Sequence, residues 1–252
     1  VTIVPLFSSD SYPQLSDVVI GSTFCAVRTG ADIVGLAFSA TNSQNFPIHG
    51  ENSSLEWSWE RLLGFYLSES QKKRSLGLAA INALSQTIMR QNSVYKLVEE
   101  SLGLLSEPEG LQFGMVGAIH PIITQIIEQK GQVLLRDDMV LQRDQKKLPK
   151  NGVTLIPFIE ELKNVDHLLV SGSAIVHKGF NDILEIVNTI KGQRILVGPS
   201  AQILPQAAFK DGFTVVASSW VEQVEPLLQK VRGGGGYPHF QKYCRKYVVR
   251  KK

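Results

Sequence analysis

The chain has 252 residues, of which 43% are hydrophobic and 19% charged, and a formal net charge of +3. That balance excludes a disordered chain and a nucleic-acid-coating one, and gives length for one large domain or two modest ones, two being the expectation. Cys25 and Cys244 form no Cys-x-x-Cys pair, which leaves neither a disulfide framework nor a zinc-ribbon spacing and fits a reducing cytoplasm.

The first residues, VTIVPLFSSDSYPQ, lack the basic region and continuous apolar stretch of a signal peptide, and no run approaches the roughly 20 apolar residues needed to cross a bilayer. With no initial Met, the sequence reads as a processed, trimmed or internally started chain. Residues 18–40 read as a hairpin, because VVIGSTFCAV and DIVGLAFSA are rich in strand formers and flank a polar turn. A loop at 41–54 follows. Leu55, Trp59, Leu62 and Leu63 then share one helical face, and Leu78, Ile81, Leu84, Ile88 and Met89 make an apolar stripe along 75–90. Trp57, Trp59, Phe65 and Tyr66 belong to this stretch and read as core or as the interface of a homo-oligomer. Strands followed by helices make a small α+β unit.

From about residue 111 short apolar runs alternate with helical patterns, the grammar of βαβ units and a parallel sheet. Strands are expected at 112–118, 131–136, 167–171, 194–198 and 213–217. Helices are expected near 121–129, 155–163, 180–191, 201–209 and 220–231. Strands such as HLLV and RILV are continuously apolar, as in a sheet covered on both faces. The expected fold is therefore α/β: a small N-terminal α+β domain, 1–107, then a Rossmann-like three-layer domain with a mostly parallel sheet, 108–252. The junction is expected near LLSEPEG, at 104–110. The tail RGGGGYPHFQKYCRKYVVRKK reads as a flexible connection and a solvated, docked basic segment, with nucleic acid a poor match to so few charges.

Three expected strands end alike, in VGAIHP, VSGSA and VGPSA. Carboxyl ends of parallel strands face one crevice, so Gly117, Pro121, Ser171, Gly172, Ser173, Gly198, Pro199 and Ser200 are expected to converge on a ligand. Glycine admits close backbone approach, and serines with helix N-termini suit an anionic group. The same residues also serve ordinary βα turns. Neither G-x-G-x-x-G nor Gly-Lys-Ser/Thr is present, which argues against NAD and against a Walker A loop. Asp137 and Asp138 end the next strand, where Rossmann-like folds hold a ribose or another hydroxylated group and where a solvated cap would also sit.

His120 precedes Pro121 at a helix start and reads as a helix cap, a general base or a metal ligand, with Asp137, Asp138 and His177 as candidate partners. His49, His167 and His239 have no paired ligand spacing. Cys25 reads as a nucleophile or, within a strand, a small buried hydrophobe. Asn82 either satisfies buried backbone or faces the ligand.

LGLAAINAL (76–84), FGMVGAIHPI (113–122), LLVSGSAIV (168–176) and RILVGPSAQILPQAAFKDG (194–212) resemble, in order and spacing, the family labelled putative heavy-metal chelation domain. The resemblance implies an enolase N-terminal-like domain joined to a Rossmann-like one. It also implies an interdomain site for metal chelation, or for chemistry on pterin-, flavin- or siderophore-like molecules, with a divalent or heavy metal ion as a candidate. The positions that match are Asn82, Gly117, Pro121, Ser171, Gly172, Ser173, Gly198, Pro199 and Ser200, while Cys25 departs from the small or hydroxyl residue expected in GSTFCAV. The reading is a protein binding a small anionic or heterocyclic metabolite, by condensation or hydrolysis with His120 as proton carrier if it turns over. The alternatives are an S-adenosylmethionine-dependent methyltransferase with Asp137 or Asp138 on the ribose, and a non-catalytic metal-binding protein.

Overall fold

A computed structural model of the chain describes residues 12–39, 57–91, 108–138, 148–149 and 151–252. The expected loop at 41–54, His49, Leu55 and residues 104–107 of the expected junction lie outside the described residues.

The first segment makes three antiparallel strands where the sequence suggests two: β1 (Leu15–Ile20), β2 (Phe24–Thr29) and β3 (Val34–Phe38). Gly21 breaks VVIGSTFCAV in the middle. Its amide closes a tight turn onto the Phe24 carbonyl at 2.9 Å, and a Cβ there would stand 2.1 Å from the carbonyl oxygen of Val231. Helix α1 (Trp59–Gly64) is capped by the Ser58 hydroxyl, which accepts from the Arg61 amide, and a short 3-10 turn leads into α2 (Gln71–Gln91). From Ser75 to Gln86 every residue of α2 is buried, because protein surrounds it on several sides and the stripe expected of a surface helix is only part of what it covers. Of the aromatic group, Trp59 and Tyr66 join the core and Trp57 and Phe65 pack partly buried against it, with the Arg61 guanidinium over both rings of the latter pair.

The second sheet has the order β10-β9-β8-β7-β4-β5-β6. Its strands are β4 (Gln112–Val116), β5 (Gln132–Arg136), β6 (Val153–Leu155), β7 (His167–Ser171), β8 (Arg194–Val197), β9 (Val215–Val221) and β10 (Cys244–Arg250). All pair in parallel except β10, which runs antiparallel to β9. The chain enters at β4, steps outward through β5 and β6, then returns to β7 on the far side of β4. The strand order therefore reverses between β4 and β7. Helix α3 (His120–Glu128) covers one face of the sheet with Ile122, Ile123 and Ile126. Helices α4 (Phe180–Val187) and α5 (Pro205–Lys210) cover the other.

Further expectations need correcting, among them the helix expected from 220, which begins only at Val224 because the last parallel strand runs on to Val221. The helix at 155–163 is instead the end of β6 and a 3-10 turn, Ile159–Asn164, since Pro157 interrupts the segment and β-branched Val153 and Thr154 precede it. The tail is structured: Gly234, at φ +77, helps end α6 (Val224–Arg232), then α7 (Tyr237–Phe240) leads into β10. Tyr247 of β10 is fully buried while Lys246 and Arg250 stay exposed, an edge strand whose basic residues disguise it. Helix α6 packs on the small sheet, where Leu227, Leu228 and Val231 meet Val19, Phe24, Ala26 and Leu36.

One continuous core holds Cys25, Val27 and Ala37 of the small sheet, Leu78, Ile81 and Leu84 of α2, and Val116, Leu168, Val170 and Leu196 of the large one. No helix among the described residues is long and apolar enough to cross a membrane. The approach of α2 to β3 is set by Gly35, where a Cβ would lie 2.1 Å from both the Ala79 oxygen and the Ala83 nitrogen. Gly35→Ala should therefore cost about 3 kcal/mol, since neither backbone can yield cheaply, and urea unfolding followed by circular dichroism measures it.

Candidate functional site

At the reversal between β4 and β7 the two chains leave the sheet toward opposite faces, which opens the edge between them. Gly117 makes the exit from β4 at φ +82, a conformation that favours glycine, and its backbone lies so close to β7 that a Cβ would sit 2.8 Å from Ser171 Cβ. The hydroxyls of Ser171 and Ser173 stand 2.8 Å apart, and the Ser173 amide donates to Ser171 Oγ. From β5, Asp137 Oδ2 accepts the amide of Ala118 at 2.7 Å, which ties its carboxylate to the same turn. Asp138 is exposed and pairs with Arg136 at 2.5 Å. His120 opens α3, half-buried, with Pro121 exposed beside it. The residue in the capping position is Ile119, so His120 is not the helix cap.

The remaining expected site residues divide. Gly172 is pressed against the loop after β8, where a Cβ would be 2.4 Å from the Ala201 nitrogen. Ser200 and Asn82 are buried in contacts with β3: Ser200 Oγ accepts the Phe38 amide at 2.9 Å, and Asn82 Nδ2 donates to the carbonyls of Leu36 and Ser200 at 2.7 and 3.0 Å. Asn82 thus takes the backbone-satisfying role of the two that the sequence left open. Gly198, at φ +112, has open space where its Cβ would be, and its carbonyl accepts the Ser218 hydroxyl at 2.8 Å. Pro199, beside it, is half-buried.

Three groups that sequence reasoning underweighted complete the picture. Gln202, fully buried, accepts the Leu36 amide at 2.7 Å and donates to the Ser219 carbonyl at 2.7 Å. Gln86 Nε2 donates to the Gln202 carbonyl at 3.0 Å and to Tyr247 Oη at 3.1 Å. His177 ends the 3-10 turn Gly172–Val176, with its Nε2 3.5 Å from Gln71 Nε2 in the first turn of α2. The neighbouring Arg74 donates from Nε to the Val176 carbonyl at 2.7 Å. Nothing in the sequence marks two glutamines as buried, because a loop or helix glutamine normally points to water.

Burial lowers the pKa of His177; Asp138 and Asp137 oppose that shift and Arg74 reinforces it. Burial likewise lowers that of His167, which sits at the opposite edge of the sheet, where its Nδ1 accepts the Gln193 amide and its ring packs on Phe113. The Cys25 thiol is 1% exposed and pushed up to about 12 by burial, so it packs as a small hydrophobe and is a poor nucleophile. His239 Nδ1 accepts the Gly236 amide within the tail. Among the described residues no three of His, Cys, Asp and Glu come together so as to hold a metal ion. The side chains of the described residues therefore do not fit a resident metal on their own.

A mostly parallel sheet with a glycine- and serine-lined switch point, joined to a small antiparallel sheet and its helices, defines a Rossmann-like α/β protein with an appended α+β layer. The chain belongs to the DUF364 family, described as "Putative heavy-metal chelation", whose model matches residues 101–250; a DUF4213 model with the same description matches residues 12–85. A Pyrococcus horikoshii DUF364 protein of unknown function is similar in structure at a TM-score of 0.74, with 24% identity over 94% of this chain and 93% of that one. A Desulfitobacterium hafniense member, also of unknown function, gives 0.76, with 21% identity over 99% and 95%. An uncharacterized protein of Methanocaldococcus jannaschii is 25% identical over 178 residues, 70% of this chain and 66% of that protein.

Two outcomes follow from these contacts. Asn82→Ala strands two buried carbonyls and should destabilise the fold by about 2 kcal/mol, read from the denaturation midpoint. Asp138→Asn removes a charge that raises the His177 pKa, so the imidazole should titrate at still lower pH than in the parent, as followed by nitrogen-15 NMR of labelled histidine.

Proposed function

We propose that the switch-point edge binds a small anionic or heterocyclic metabolite, of pterin-, flavin- or siderophore-like type, and that the metal of the family description travels as cargo on that metabolite. One observation carries the reading: Gly117 at φ +82 brings bare backbone against Ser171 at the point where the strand order reverses, with Ser173 and Asp137 beside it. Hydroxyls and a glycine turn at such a place orient a polar ligand. A metal ion needs several donors, and with no cluster of three among the described residues the chelating atoms come from the ligand. The family description supports chelation as the role. The methyltransferase reading is less favoured, because Ala118 and Arg136 already engage Asp137 and Asp138, the two carboxylates that would hold a ribose. The contacts between the first turn of α2 and the turn after β7 support an interdomain position for the ligand, between domains of residues 1–107 and 108–252.

Native mass spectrometry of protein purified without chelators, with elemental analysis of the same sample, tests this. An organic molecule of definite mass is expected, with metal no more abundant than that molecule. Ser171→Ala with Ser173→Ala should weaken its retention about tenfold for each hydrogen bond lost. A stoichiometric metal with no organic partner, or an empty protein, overturns the proposal.

A further inference from the structure

Where α2 meets β3 and the loop after β8, three of its polar side chains are fully covered: Asn82, Ser85 and Gln86 are 0%, 0% and 1% exposed. Each holds an oxygen with no hydrogen-bond partner in the protein, namely Asn82 Oδ1, Ser85 Oγ and Gln86 Oε1. Covering such an atom without a partner is costly, and these three lie within five residues. Turning the amides over would not relieve them. Asn82 Nδ2 spends both its hydrogens on the carbonyls of Leu36 and Ser200, at 2.7 and 3.0 Å. Gln86 Nε2 is held by the Gln202 carbonyl at 3.0 Å, with Tyr247 Oη at 3.1 Å and Met89 Sδ at 3.4 Å. Ser85 differs from the other two hydroxyl residues of the helix. Ser75 and Thr87 donate to the carbonyls four residues earlier, at 3.1 and 2.9 Å, whereas the Ser85 hydroxyl makes no such bond and keeps its hydrogen for another acceptor.

We infer that these oxygens form a binding site for one ordered water molecule, built into the contact of α2 with the loop after β8. Ser85 and Gln86 stand three and four residues beyond Asn82, so each has its Cβ about 5–6 Å from that of Asn82 on the same side of the helix. Two hydrogen bonds of about 2.8 Å cross such a gap through a single oxygen atom. The count of donors and acceptors selects the occupant. An amide oxygen can only accept, while a hydroxyl can also donate. Water brings two hydrogens, one for each amide, and lone pairs that take the hydrogen of Ser85, so one molecule satisfies all three groups. An anion is refused by the two amide oxygens. A cation needs more oxygens than these and an opposing charge. The groups that hold the two amides are all uncharged, and the next charge along the helix is the positive one of Arg90, whose Nη2 donates to the Val221 carbonyl at 3.1 Å. The site is separate from the switch point and does not depend on a metabolite binding there. It adds a solvent molecule to the hydrogen bonds by which α2 grips the loop that carries Gly198 and Pro199.

High-resolution crystallography of the intact protein tests this, with crystals grown in sodium chloride and in rubidium chloride. Wild type should show one density peak at water distances, about 2.8 Å, from all three oxygens, and no anomalous signal there from rubidium. Ser85→Ala should keep the peak on the two amide oxygens. Ser85→Val, whose added methyl groups take up the water's space, should lose it, and its folding equilibrium constant from urea unfolding should fall at least tenfold below that of Ser85→Ala, because both amide oxygens then lack a partner. A wild-type structure without the peak, a rubidium signal at the site, or equal stability of the two variants overturns the inference. Should Ser85→Val fail to fold, the wild-type and Ser85→Ala structures decide it.

Discussion

The free edge of β3 is the constraint on which the arrangement of the two sheets depends. An edge strand exposes a row of amides and carbonyls, and here that row is buried, so each group must find a partner or cost the fold a desolvation penalty. Side chains stand in for a fourth strand. Gln202 and Ser200 accept the amides of Leu36 and Phe38, and Asn82 donates to the Leu36 carbonyl. Because Asn82 also bonds the Ser200 carbonyl, and Gln86 the Gln202 carbonyl, the helix, the small sheet and the loop after β8 are fixed by one set of hydrogen bonds. With α2 so fixed, its first turn lies against the end of the turn that follows β7, through Arg74 and Gln71.

Much of the fold was legible in the sequence for a simple reason. In β4, β7 and β8 both faces are covered, so the apolar runs are unbroken and the strands follow within a residue or two. Legibility failed where a segment answers to a distant partner. Gly21 splits a strand-like run because Val231, some two hundred residues later, occupies the space a side chain would need. The tail hides a strand because Arg245, Lys246 and Arg250 interrupt its apolar residues, of which Tyr247 alone is fully buried. Of the candidate site, Gly117, Ser171, Ser173 and Asp137 do meet, as parallel strand ends require. Gly172 and Ser200 are placed by the sequence at the same edge and Asn82 on a helix near the domain interface, but Ser200 and Asn82 are committed to hydrogen bonds that tie β3 to the loop after β8, and Gly172 to close packing against that loop. Spacing alone cannot separate a serine that accepts a backbone amide from one that greets a ligand.

The chemistry of the edge also separates two meanings of chelation. A protein that chelates with its own side chains gathers thiolates, imidazoles and carboxylates into one shell. Here burial pushes both cysteine thiols up to about 12, and the histidines among the described residues are dispersed: one beyond β7, one at the start of α3, one at the opposite edge of the sheet and one in the tail. Around the switch point the described side chains are the hydroxyls of Ser171 and Ser173 and the Asp137 carboxylate, and among the described residues no such shell is gathered.

The partners of β3 have a further consequence, for the order in which the chain assembles. Ser200 and Gln202 lie more than 160 residues beyond the amides they satisfy, and α6, which covers the other face of the small sheet, lies later still. During synthesis the hairpin strands emerge long before anything that can shield their edge or their second face. The unit formed first is thus finished last, through contacts of high sequence separation that fold slowly. Until the loop after β8 arrives, an unpaired strand with an apolar face is open to pairing with another chain, the hazard that exposed edges carry.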